Sequence, residues 1–177
     1  MKKLIFGAIL LMAFTVQSKA QSSINGQAKA EVTSQLSITD NTGTPGGTTL
    51  NFGKIAVLAG SGGTCTISTV NVATVSGGVN TIPSTTSNAI FSLTGMAGKT
   101  YAISLQLSTI VTRAGGSETM TVDNLKARPN SAGGDLFTGT LDSFGSDNFT
   151  VGGQLNVIAA QADGVYNGTF NVTVAYN

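Results

Sequence analysis

Apolar and polar residues alternate with a period of two through most of this sequence. From Lys99 to Leu107 (KTYAISLQL), Tyr101, Ile103, Leu105 and Leu107 fall on one face, and Ala102, Ser104 and Gln106 on the other. That is the pattern of a strand with one buried side. Phe149, Val151, Gly153, Leu155, Val157 and Ala159 keep the same register. So do Tyr166, Gly168, Phe170, Val172, Val174 and Tyr176, set against Asn167, Thr169, Asn171 and Thr173. Shorter strands are predicted over 50–57, 63–69, 88–93 and 119–125. Clusters of Gly, Ser, Thr and Asn punctuate these runs, at 41–47, 59–63, 76–80 and 95–98 and at the pairs Gly115-Gly116 and Gly133-Gly134. Short strands with such connections predict an all-β, antiparallel sandwich or barrel. Helical spacing is hard to find beyond the first twenty residues.

One alternating stretch is too long for an ordinary strand. Ile24, Gly26, Ala28, Ala30, Val32, Ser34, Leu36 and Ile38 alternate with polar residues over fifteen positions, against a common strand length of about 5–6. It divides into an N-terminal arm, 21–33, and the first strand of the domain; the alternative is that the whole stretch starts the domain's own sheet. An arm with Ile24, Gly26, Ala28, Ala30 and Val32 on one face suits strand addition. In that mode a segment pairs by its main chain with an open sheet edge and drops alternate side chains into a groove.

The first twenty residues have the form of an export signal. Lys2 and Lys3 form the charged start, Leu4 to Val16 the apolar run, and Ser18-Lys19-Ala20 the small-residue cleavage site. Cleavage between Ala20 and Gln21 then leaves an arm, 21–33, and a domain, 34–177. The product is expected in the periplasm, at the cell surface or outside the cell, with no transmembrane anchor in the mature chain.

Composition narrows the chemistry. The 177 residues contain no His and one Cys, Cys65, so imidazole catalysis, an internal disulfide and a CxxC metal cluster are all excluded. Cys65 reads as a buried small hydrophobe alternating with Ile67. Without the signal, six basic residues face eight acidic ones and no basic patch exists, which argues against nucleic acid as a partner. A membrane β-barrel would need aromatic girdles, and the chain has no Trp.

The final alternating strand carries a family resemblance. Counting back from Asn177, Tyr176 is penultimate and Gly164 fourteenth, with Phe170, Val172 and Val174 alternating between them. This resembles the closing strand of chaperone–usher pilins. Further segments carry the likeness in order: 50–53 (LNFG), 63–67 (GTCTI), 89–95 (AIFSLTG), 99–103 (KTYAI), 149–155 (FTVGGQL) and 164–170 (GVYNGTF). Together they make the chain similar to a bacterial domain-of-unknown-function family of secreted β-sandwich proteins, itself similar to spore coat U proteins and those pilins. The resemblance implies an immunoglobulin-like sandwich and a structural role at the cell surface. Gly164, Tyr166, Gly168, Phe170, Val172, Val174 and Tyr176 would line the assembly groove. Many pilins carry a disulfide that this chain cannot form.

Two functions are expected. The first is a non-enzymatic, pilin-like fimbrial or surface subunit that associates with its own copies or other surface subunits, with a periplasmic chaperone as a further partner. The second is a monomeric sandwich that binds a glycan or other surface ligand through its loops. Asp123, Asp135, Asp142 and Asp147 could supply a glycosidase pair, but no aromatic sugar platform accompanies them. No catalytic, metal or cofactor site is expected.

Overall fold

The longest strand of the protein organises the rest. In chain order the strands are β1 (Ser37–Asp40), β2 (Lys54–Val57), β3 (Gly63–Ile67), β4 (Ala73–Gly77), β5 (Val79–Ile82), β6 (Ala89–Thr94) and β7 (Thr100–Leu105). They continue as β8 (Ser108–Arg113), β9 (Thr119–Pro129), β10 (Thr138–Thr140), β11 (Ser146–Val157), β12 (Tyr166–Asn167) and β13 (Val172–Tyr176). The computed structural model describes residues 34–40 and 47–177, together with Gln27, Lys29, Ala30 and Val32. No helix occurs among them.

One edge of β11 pairs with β9. The other edge is shared, with β6 alongside 146–151 and β3 alongside 153–157. The main sheet therefore runs β1-β6-β11-β9-β8-β12, with β3 and β4 continuing it beside β6. A three-stranded sheet, β10-β7-β13, and a two-stranded one, β2-β5, complete the fold. Every pairing is antiparallel. Side chains from the main sheet (Phe149, Val151, Leu155) and the three-stranded sheet (Tyr101, Ile103) meet in one buried core. The fold is an antiparallel β-sandwich, as the alternation predicts.

The inward register is as expected for Tyr101 and Ile103 and for Phe149 through Val157, and Cys65 and Ile67 are wholly buried. Four expectations need correction. Leu107 is 91% exposed, because β7 ends at Leu105 and the chain crosses there to β8 in the other sheet. Ala159 is exposed, in a turn beyond the end of β11. The strand expected over 50–57 is only Lys54–Val57; Asn51 instead forms an isolated bridge to Ser87. The strand expected over 119–125 reaches Pro129. Its alternation changes phase at Asn124, which adopts a left-handed backbone (φ 50°) opposite a register shift in β11. This bulge turns Val122, Leu125 and Ala127 all inward.

Strands β2 and β5 continue the β3–β4 hairpin after a bend. Gly77 takes φ +75°, a conformation that side chains resist, and the Gly78 N–H donates to the Gly62 carbonyl (2.8 Å) across the bend. The far half of the hairpin thereby leaves the main sheet.

The described residues from Ser34 to Asn177 belong to one compact unit. The export signal, its Ala20–Gln21 cleavage point and Ile24, Gly26 and Ala28 lie outside the described residues. Ala30 and Val32 are exposed and belong to no strand.

Candidate functional site

The expected closing strand is two pieces rather than one. Tyr166–Asn167 pairs with β8 in the main sheet, and Val172–Tyr176 pairs with β7 in the three-stranded sheet. Between them the chain changes sheets. Gly168, expected to face inward, is exposed there, and its backbone passes so close to the Ile110 carbonyl that a Cβ would strike it. Gly164 opens this segment with φ +152° against the Arg113 side chain. Arg113 Nε donates to the Asp163 carbonyl (2.6 Å), and its guanidinium meets Glu118 at 3.4 Å. Tyr166 closes the preceding loop: its Oη donates to the Ala162 carbonyl and accepts from Gln161 Nε2, both at 2.7 Å.

Phe170, Val172, Val174 and Tyr176 pack on the core, yet they are only half-buried, as is Tyr166, whose side chain is tied to the 161–162 loop instead. For Tyr166, Phe170 and Val172 the reason lies beside them. A cleft of about 1320 Å³ opens between this tail and the stretch 48–59 that contains β2. Phe91, Met120, Val122, Leu155 and Val157 lie along it, and Val122, Leu155 and Val157 are buried core residues. Phe91 stacks on Phe149 (centroids 5.1 Å) and meets Phe170 edge-on (6.3 Å). Gly164, Tyr166, Gly168, Phe170 and Val172 line the cleft; Val174 and Tyr176 pack on the core beyond its lining.

Residues 36–176 match the family described as Domain of unknown function (DUF4402). The chain belongs to that family. No curated protein and no solved structure matches it.

Two strands of this DUF4402 domain contribute to the cleft, β2 along its length and β13 at its start, Val172. At the two ends of β13 the backbone groups of the flanking Asn171 and Asn177 bond to Gln106 and Thr100, on the β7 side. Hydrogen-bonding direction alternates along an antiparallel strand, so the N–H and C=O of Val172, Val174 and Tyr176 point the other way. In β2, Leu58 N–H donates to Gly78 and Lys54 N–H to Ser84 Oγ, both towards β5. By the same alternation Ile55 and Val57 present their groups to the opposite edge. Among the described strands, β13 pairs only with β7 and β2 only with β5. Sequence reasoning found the β13 flank and missed the β2 flank, whose place depends on the hairpin bend.

The acidic residues do other work. Asp147 Oδ2 accepts from Tyr101 Oη (2.7 Å) and Ser131 Oγ (2.5 Å). Asp135 accepts from Thr69 Oγ1 (2.6 Å). Asp142 Oδ1 accepts the N–H groups of Phe144 and Ser146, both at 2.8 Å, and so shapes its own turn. Asp123 Oδ1 is buried without a partner among the described residues. Burial pushes the Cys65 thiol pKa up. Burial, then the bond to Asp147, holds the Tyr101 phenol well above the usual range.

Proposed function

We propose that this protein is an exported, non-enzymatic structural subunit of the bacterial cell surface that associates by β-strand pairing in the cleft. In this it is similar to chaperone–usher pilins and spore coat U proteins. One observation carries the reading: β2 and β13, each paired on one side only among the described strands, flank a cleft of mixed polar and apolar lining along which Phe91, Phe170 and Val172 are left half-covered. Such an arrangement suits an added strand, which would extend an open hydrogen-bond ladder and cover the apolar side chains. Full burial of a Leu, Ile, Val or Phe stabilises by about 1.5–3 kcal/mol, so completing several half-buried ones at once is a substantial driving force. Size argues the same way. The cleft exceeds the roughly 300–1,000 Å³ of small-molecule pockets.

The chain started at Gln21 tests this by size-exclusion chromatography with light scattering. Oligomers that survive mild denaturant are expected. Ile55→Pro and Val174→Pro should abolish them while the far-UV circular dichroism stays β-rich, because each removes an N–H that faces the open edge. An unmodified chain that stays monomeric at high concentration would point instead to a self-contained sandwich binding its ligand through loops.

A further inference from the structure

Away from the cleft, the outer edge of β4 is open and unguarded. Ser68 N–H donates to the Val72 carbonyl (2.9 Å) and Gly78 N–H to the Gly62 carbonyl (2.8 Å), so residues 72 and 78 bond on the β3 side. By the alternation of an antiparallel ladder, Thr74 and Ser76 face β3 as well. Ala73 and Val75 then turn their N–H and C=O groups away from it. Among the described strands β4 pairs only with β3.

Natural edges are blunted by brevity, charge, proline or a covering segment. Elsewhere in this fold such devices are present: β10 and β12 are only three and two residues long, and β5 runs into Pro83. β4 has five residues, four of them exposed, and no proline. Nor does it carry charge, since no Asp, Glu, Lys or Arg occurs from Ile55 to Gly98. Val75 shares a face with its β3 partner Cys65, which is wholly buried, yet at the margin of the sheet Val75 stays 37% exposed. A strand laid against β4 would cover it.

The missing charge bears on which strand that is. A surface that selects a foreign partner does so largely through complementary charge, and β4 offers none. Pairing with its own copy has the opposite requirement. About a two-fold axis each residue meets its counterpart or a near neighbour of it, so a charge would face its like, which destabilises a cross-strand pair. A strand without charge is complementary to itself. An axis at Val75 sets the two valines directly opposite, exchanging main-chain hydrogen bonds and covering each other's side chains.

We propose that β4 pairs antiparallel with β4 of a second copy of this chain, about a two-fold axis at Val75, so that two main sheets become one. No residue of β4 lines the cleft, so this contact does not depend on the cleft as a seat for a strand.

The test uses the full chain from Gln21 with single substitutions Val75→Cys or Thr74→Cys. Opposed hydrogen-bonded residues have Cα atoms about 5.5 Å apart, within disulfide reach, whereas Thr74 and its copy would be offset by two residues. Mild oxidation should give a covalent dimer from Val75→Cys and none from Thr74→Cys or from the unmodified chain, whose Cys65 is buried. Light scattering on Val174→Pro, in which the cleft edge is blocked, should show a dimer. Adding Val75→Lys or Val75→Glu should abolish it, and an equimolar mixture of the two should restore it. A monomer at millimolar concentration, with no disulfide from Val75→Cys, would overturn the proposal and leave the strand seat standing. A disulfide from Thr74→Cys alone would overturn the axis at Val75. A dimer that survives both charged substitutions would overturn the β4 contact. A β4 dimer without larger oligomers of the unmodified chain would uphold this contact and sink the strand seat.

Discussion

The hydroxyl of Tyr176 donates to the carbonyl of Ser34 at 3.1 Å, joining residues 142 positions apart. The same hydroxyl accepts the Met96 N–H at 2.7 Å, so one side chain ties β13 to the segment before β1 and to the β6–β7 turn. Tyr176→Phe keeps the ring and removes both bonds, leaving a part-buried N–H without its acceptor. A loss of about 1–3 kcal/mol is expected in urea unfolding, with no change in the far-UV spectrum.

Asp147 bridges the two main layers. It accepts from Tyr101 on β7 and from Ser131, whose Oγ in turn accepts the Thr140 N–H at 3.0 Å. Asp147→Ala strands the hydroxyl of a wholly buried tyrosine. The expected cost is again about 1–3 kcal/mol, and it should largely disappear when Asp147→Ala is combined with Tyr101→Phe, as a double-mutant cycle in urea would show.

Alkali should weaken the fold. The pKa values of Tyr101 and Cys65 are both raised above their ordinary 10.0 and 9.0, chiefly by burial. A raised value means that the folded state favours the protonated form. The resulting stability is whole below the ordinary value and is lost as pH climbs through and beyond it. Thermal unfolding between pH 7 and 11 should therefore show a midpoint falling from about pH 9 upward. Tyr101→Phe should flatten the steeper part of the fall above pH 10.

Gly164 sits at a φ that an alanine resists, with Arg113 filling the space a Cβ would need. Gly164→Ala should cost more than about 1 kcal/mol and loosen the loop that Tyr166 closes. Faster amide exchange at Ala114, whose N–H donates to the Val165 carbonyl at 2.7 Å, would report that loosening. An unchanged melting temperature would contradict it.

Much of this fold is legible in alternation alone, because a strand with one buried face must place apolar side chains at every second residue. That rule locates the inward residues of β7, β11 and β13. It fails where the chain changes sheets: Leu107 continues the pattern of β7 yet points into solvent, and β8 follows with Ile110 mostly exposed. It fails again at Asn124, where a bulge shifts the phase and an apparent strand end is really its middle. Edge strands such as β4, exposed at four of five positions, carry too little burial to leave a signal. For the cleft, the β13 flank lies in an alternating run, whereas the Ile55 and Val57 flank depends on a bend between Gly62 and Gly77–Gly78 that only tertiary pairing reveals.

The shared edge of β11 also sets the order of events in time. Neither β3 nor β6 pairs with the other; each is held by residues between Ser146 and Val157. A growing chain therefore carries β3, which ends at Ile67, and β6, which ends at Thr94, before the strand that unites them begins at Ser146. Assembly must wait, and pairings this distant in sequence close slowly, in roughly milliseconds to seconds. Until then β1 can pair with β6 and β3 with β4, but the two pairs cannot join each other in the finished sheet.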